Sequence, residues 1–198
     1  MVIQPLKPHA DRLYKPRLLC KWILHIIYEL SGGKKRPSEL KRNIRGITER
    51  VLYDRLKLLL KLGLVRRSSN GRYPLTTYYK LNSSCLDILL SLIRKTRLSI
   101  EDVVSVLSCK WMIPIMECLR DQKPPKEILK EIPDLSERML YVRIDKLQSM
   151  GLVNREVILD KPVKVVYTLS PMGRKEIKLL KELRDLIASI EKRHSPCF

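Results

Sequence analysis

One pattern is written twice in this chain, 88 positions apart, and it limits the folds open to it. Thr48-Glu49-Arg50-Val51-Leu52-Tyr53-Asp54-Arg55-Leu56 returns as Ser136-Glu137-Arg138-Met139-Leu140-Tyr141-Val142-Arg143-Ile144. Gly63-Leu64-Val65-Arg66-Arg67 returns as Gly151-Leu152-Val153-Asn154-Arg155. Two copies of one unit call for two similar cores of roughly 80 to 100 residues each. In the first copy Thr48 stands where an N-cap hydroxyl accepts a hydrogen bond from a first-turn amide. Leu52, Leu56, Leu59 and Leu60 recur three or four apart and share one helical face, leaving Arg50, Tyr53, Asp54, Lys57 and Lys61 on the other. Gly63 supplies the left-handed residue that stops a helix, and a strand follows it.

The repeat extends in both directions. Cys20-Lys21-Trp22 begins a helical stripe of Trp22, Ile23, Ile26, Ile27 and Leu30, broken by Gly32-Gly33. Its counterpart runs from Cys109-Lys110-Trp111 to Leu119, with Pro114 tolerable only in a first turn. Short helices with proline near the start follow at Pro37–Lys41 and Pro125–Leu129. Tight connections, Ile44-Arg45-Gly46 and Ile132-Pro133-Asp134, then lead into the long helices at about 48–62 and 136–150, a helix-turn-helix arrangement. Beyond the first long helix, strand Leu64–Ser68, a two-residue turn signal at Asn70-Gly71 and strand Thr76–Leu81 spell a hairpin. The second hairpin runs Leu152–Leu159 and Val163–Leu169 around Asp160-Lys161-Pro162. A helix-turn-helix followed by a hairpin is a winged helix. Closing helices are expected at about 85–95 and 172–193, and a helix at about 99–107 opens the second copy. The last helix stacks Ile177, Leu180, Leu183, Ile187 and Ile190, a stripe that serves dimerisation if exposed and packing between the repeats if covered. The expected fold is mostly α with small β-hairpin wings, as tandem winged helix-turn-helix domains. Residues 1–97 form the first domain with an N-terminal arm, and 98–198 the second with the long C-terminal helix.

Charge separates the copies. The formal net charge is +19, and residues 1–97 hold 22 Lys/Arg against 6 Asp/Glu, while 98–198 hold 18 against 15. A basic field of this size points to a polyanionic partner. No apolar run approaches the roughly 20 residues of a membrane-spanning helix, and no signal-peptide pattern opens the chain, so a cytoplasmic, nucleoid-associated protein without membrane contact is expected. The five cysteines show no zinc spacing and read as reduced, mostly buried thiols, although Cys20 and Cys109 hold equivalent places. Scattered histidines, no glycine-rich phosphate loop and no carboxylate pattern argue against an enzyme, and no metal or cofactor is expected.

The Lys-Trp pairs, the Glu39-Leu40 and Glu127-Ile128 helices, the duplicated long helix, G-L-V-x-R, and wings ending Tyr79-Lys80-Leu81 or Tyr167-Thr168-Leu169-Ser170-Pro171-Met172-Gly173 resemble winged-helix domains of the HxlR type, within the MarR-like transcription regulators. The resemblance covers about 18–97 and 107–193. It implies regulation of transcription through DNA. Such proteins usually carry one domain and dimerise through terminal helices, so two fused copies imply either a homodimer through the last helix or a monomer acting as a pseudo-dimer. The sensing cysteine of some relatives has a counterpart only in Cys20.

An α-helix fits the major groove of B-form DNA, where base edges present donors and acceptors. Arg50 and Arg138 stand where an arginine fork reaches guanine, Thr48 and Ser136 where a hydroxyl touches phosphate, and Tyr53 and Tyr141 one turn later. Lys57 follows on the same face. Lys34, Lys35 and Arg36 form a basic run suited to phosphates. At the wings, Arg72 with Arg66, and Lys161 with Lys164, face the backbone or minor groove, the second pair offset by Glu156 and Asp160. Arg55, Arg143, Arg67 and Arg155 are expected to be structural, bonding backbone or a carboxylate. Two other readings stay open: a winged-helix module that docks proteins in a transcription or other assembly, and a nonspecific architectural DNA-binding protein.

Overall fold

The computed structural model describes residues 17–71, 73, 75–82, 84–159 and 164–194. In the first repeat a 3-10 turn at Arg17–Leu19 leads to α1 (Lys21–Ser31), α2 (Pro37–Asn43), α3 (Glu49–Lys61), β1 (Val65–Ser69), β2 (Thr77–Leu81) and α4 (Ser84–Lys95). In the second, α5 (Ile100–Ser108) precedes α6 (Met112–Arg120), α7 (Pro125–Glu131), α8 (Glu137–Ser149), β3 (Val153–Ile158), β4 (Lys164–Leu169) and α9 (Pro171–His194). β1 pairs antiparallel with β2, and β3 with β4. The architecture is mostly α with two small hairpin wings, a tandem winged helix-turn-helix.

Local chemistry accounts for the boundaries. Thr48 Oγ1 accepts from the Val51 amide at 3.4 Å and Ser136 Oγ from the Met139 amide at 3.3 Å, so both long helices start on a side-chain cap. Pro37 and Pro125 occupy first-turn positions, where a missing N–H costs nothing. Gly63 and Gly151 end α3 and α8 at φ +66° and +72°. The turn inside each helix-turn-helix also needs a left-handed residue, taken by Gly46 at φ +79° and by Asp134 at +61°. Aspartate visits that region more readily than most side chains. α6 starts later than α1: its first residue is Met112, where α1 begins at Lys21, the equivalent of Lys110. Pro114 is the reason, because a helix begun at Lys110 would place it past the first turn.

Each long helix buries the face its periodicity foretold. Leu52, Leu56 and Leu59 in α3, like Leu140, Ile144 and Leu147 in α8, are almost inaccessible, whereas Leu60 is only half-buried. The first wing departs from expectation. Pairing stops at Ser69↔Thr77, Asn70 N–H donates to the Thr76 carbonyl at 3.2 Å, and Asn70 Oδ1 accepts the Thr76 amide at 2.9 Å. Asn70 therefore clamps the base of a longer loop instead of sitting inside a two-residue turn. Lys35 adds a third short segment to this wing, exchanging both backbone hydrogen bonds with Tyr79 at 2.9 and 3.0 Å.

The repeats pack on each other. α1 lies against α5, α4 against α9, and the opening 3-10 turn against α9. Leu180, Leu183 and Ile187 are at most 1% exposed, so the stripe on the last helix is covered within the chain. Two buried carboxylates of α9 tie it to the first repeat: Glu176 Oε1 accepts the Arg97 amide and Glu191 Oε2 the Leu18 amide, each at 3.1 Å.

Candidate nucleic-acid interface

In the first repeat the start of α3 projects Thr48, Arg50, Tyr53 and Lys57 to solvent on the face opposite its leucines. Tyr53 is 46% exposed. Glu49, also at the helix start, meets Lys41 from α2 at 3.3 Å. Its carboxylate suits the positive end of the helix and leaves Arg50 as the outward cation of the first turn.

The preceding basic run splits in function. Lys35 Nζ lies 2.8 Å from Glu29 Oε2, and both side chains are about three-quarters buried. Burial works to raise the Glu29 carboxyl, but hydrogen bonds from Lys35 and Asn43 hold it below its ordinary value. The Lys35 charge is thus spent on the fold. Lys34 and Arg36, both exposed, flank Tyr78 of β2: Lys34 Nζ sits 5.1 Å and the Arg36 guanidinium 5.2 Å from its ring centroid, and Arg36 Nη2 donates to its hydroxyl at 2.9 Å. Tyr78, which sequence reasoning passed over, joins the basic run to the wing. Arg66 and Lys80 face each other across that wing and are exposed. Arg72 lies outside the described residues.

The second repeat presents Ser136 and Arg138 in the same exposed positions. Tyr141 is different: its ring packs against Tyr167 of β4, centroids 6.3 Å apart, so it braces the second wing, whereas Tyr53 meets no other ring among the described residues. Asp145 stands where α3 has Lys57, and exposed Val142 where α3 has Asp54. Lys164 is exposed at the start of β4, and Lys161 lies outside the described residues.

Arg55 and Arg143 are half-buried as expected of structural side chains, but the expected bond to backbone or carboxylate is not made at Nε. That nitrogen is buried without a partner in both, and Arg143 instead places its guanidinium 6.0 Å from the Trp111 ring centroid. A ring face offers a delocalised cation attraction without hydrogen-bond acceptance. Arg67 and Arg155 are exposed on their strands rather than tucked inward.

Three comparisons place these features among known proteins. The HxlR-like helix-turn-helix family model matches residues 18–93 and again 106–195, and the chain belongs to that family. An uncharacterized HTH-type transcriptional regulator of Methanothermobacter thermautotrophicus is 36% identical over 86 residues, spanning 43% of this chain and 66% of that protein. The HTH-type transcriptional regulator YodB of Bacillus subtilis is 39% identical over 74 residues, 37% of this chain and 66% of YodB. The chain thus spans just under two thirds of each relative's length. Among solved structures, the reduced form of YodB aligns over 43% of this chain and 85% of its own, with 34% identity and a TM-score of 0.39. A MarR-family transcriptional regulator from Enterococcus faecalis aligns over 47% and 87%, with 38% identity and a TM-score of 0.38.

Proposed function

We propose that this HxlR-family chain is a DNA-binding transcription regulator acting on cytoplasmic, nucleoid-associated duplex DNA, its domains dividing between residues 97 and 98. The observation that carries the reading is the capped start of α3, where Thr48, Arg50, Tyr53 and Lys57 stand exposed on the strongly basic half of the chain. α3 enters the major groove, with Arg50 reading bases and Lys57 holding the backbone. Lys34, Arg36 and the wing residues Arg66 and Arg72 neutralise flanking phosphates. Ser136, Arg138, Tyr141, Lys161 and Lys164 form the weaker second half-site. Lys35 supports this set from behind, because its charge is already matched by Glu29. The covered stripe of α9 and the two buried glutamates support a monomer acting as a pseudo-dimer, whose two long helices meet the duplex about one helical turn, ~34 Å, apart. Affinity for a random-sequence duplex across a salt series, with and without Arg50→Ala, tests the reading. A steep fall with salt that the substitution shifts supports it. Absence of binding at low salt would sink it and favour the protein-docking reading. Binding blind to base substitutions would favour the architectural one.

A further inference from the structure

The two wings share one register but not one surface. Val157 and Val165 stand opposite each other in the second wing where the first has Ser69 and Thr77, and they are 41% and 37% exposed. Leu159, just beyond β3, is 83% exposed where the first wing has Gly71. Nearer the core on the same face, Tyr167 rests on Tyr141. An apolar stripe thus runs out of the core to the tip of the second wing, where the first wing turns polar.

The edge of this wing differs as well. In the first wing Lys35 covers β2, exchanging two backbone hydrogen bonds with Tyr79. Its counterpart Lys123 makes no such bridge: its N–H donates to the Cys118 carbonyl at 3.1 Å and its ammonium meets Glu131. The connection here is one residue shorter, and Gln122 turns it at φ +56°. Ser170 N–H donates to the Leu152 carbonyl, so by alternation the pairs Asn154↔Thr168, Glu156↔Val166 and Ile158↔Lys164 exchange the bonds that hold the hairpin. Val165 falls between them and turns its N–H and C=O away from β3, where they meet no partner among the described residues. An unpaired apolar edge is a template for another strand.

We propose that this edge joins a second copy of the chain, β4 pairing antiparallel with β4 of that copy so that Val157 and Val165 of both form one apolar strip. Antiparallel pairing of an edge with itself is self-complementary under a two-fold axis. Charge also selects this half of the chain. Residues 98–198 hold 18 Lys/Arg against 15 Asp/Glu, so two copies meet here without the repulsion that 22 against 6 imposes on residues 1–97. β4 has six residues, and one such edge offers less than the roughly 800 Å² per partner of a stable interface. The contact is therefore weak and leaves the dilute chain a monomer. Where one duplex holds two chains side by side, the same contact acts at high effective concentration and makes neighbouring sites fill cooperatively. Lys164 points to the opposite face from Val165 and stays available to phosphate. The cooperativity rests on the DNA-binding reading; the strand pairing does not.

Sedimentation equilibrium of the full chain without DNA tests the pairing, at up to about 1 mM protein and in about 0.5 M salt, which screens the net charge beyond a few ångströms. The expected result is reversible dimerisation with a dissociation constant of about 0.1–1 mM. Two variants locate the contact. Val157→Ser with Val165→Thr gives the second wing the residues of the first, and Val165→Pro removes an outward N–H, a change that edge strands tolerate. Each should weaken dimerisation by about tenfold or more with the circular dichroism unchanged. A wild-type chain that stays monomeric throughout overturns the proposal, as does dimerisation that either variant leaves intact. Should Val165→Pro lose its circular dichroism, the Ser/Thr exchange alone decides. Duplex titrations of the same samples at low salt keep the two readings apart. Dimerisation without DNA binding refutes only the regulator reading, and DNA binding by a strictly monomeric chain refutes only the pairing.

Discussion

Gly173→Ala should be among the most damaging single methyl additions to this chain. Gly173 sits in the first turn of α9, against the backbone where α8 gives way to β3. A Cβ built there lies 2.1 Å from the Leu152 carbonyl oxygen and 3.0 Å from its carbon, where ordinary contact starts at 3.4 Å. The helix start would have to retreat by more than an ångström. Three hydrogen bonds resist that: Ser170 N–H to Leu152 O at 3.0 Å, Ser170 Oγ to Gly151 O at 2.6 Å, and Gly173 N–H to Ser170 Oγ at 2.9 Å. Overpacking costs about 1–3 kcal/mol, and a buried hydrogen bond lost in relieving it about 1–3 more. A destabilisation of about 2–6 kcal/mol follows, which lowers the melting midpoint of a chain this size by roughly 4–24 °C. Thermal melts followed by circular dichroism measure it. Gly32→Ala is the control, since its nearest neighbour is Glu29 O at 3.7 Å and its φ is −76°. A Gly173→Ala melt within about 2 °C of the control would refute the steric account.

Other outcomes follow from the same geometry. Arg50→Ala should weaken duplex binding more than Arg138→Ala, because Lys57 and the first wing add positive charge that Asp145 and Glu156 remove from the second copy; equal losses in an anisotropy titration would contradict this. Thr48→Ala removes the cap of α3 and should cost about 1 kcal/mol in urea unfolding, with Thr48→Asp close to wild type. The Glu29 carboxyl is held below its usual 4.5, so its contribution is fully present above that value and is lost as pH falls through the lower folded one. Lys35→Met should therefore flatten the acid side of the stability profile, and an unchanged profile would exclude the pair as its source. Burial, with Glu131 nearby, pushes the Cys118 thiol up to about 11. Native-state alkylation at pH 8, read by peptide mass, should spare Cys118 while half-buried Cys20 and Cys109 react.

Much of the fold was legible because its signals are local. A hydroxyl before a helix, proline in a first turn, glycine past the last and leucines three and four apart each act through neighbours in sequence, and each appears twice. Loop length at the first wing was not legible in the Asn70-Gly71 pair, because Asn70 uses its side chain to hold Thr76 and so stays outside the turn. The sense in Gly173 was half-visible: the motif could be read, but its neighbour Leu152 belongs to another element.

The candidate DNA face divides the same way. Exposure of Thr48, Arg50 and Lys57 follows from helical period alone. The fate of Lys35, Tyr141 and Arg143 does not, since Glu29, Tyr167 and Trp111 reach them only through tertiary packing. Periodicity also marked the stripe of Leu180, Leu183 and Ile187 as apolar without saying what would cover it. The sequence by itself determined two capped, charged-apart copies of one unit. Only the tertiary structure decided that the copies close on each other, covering that stripe with α4, α6 and the opening turn. Side-chain period is set by bonds along the chain, whereas the partner of a buried face is set by which surfaces meet when water is expelled.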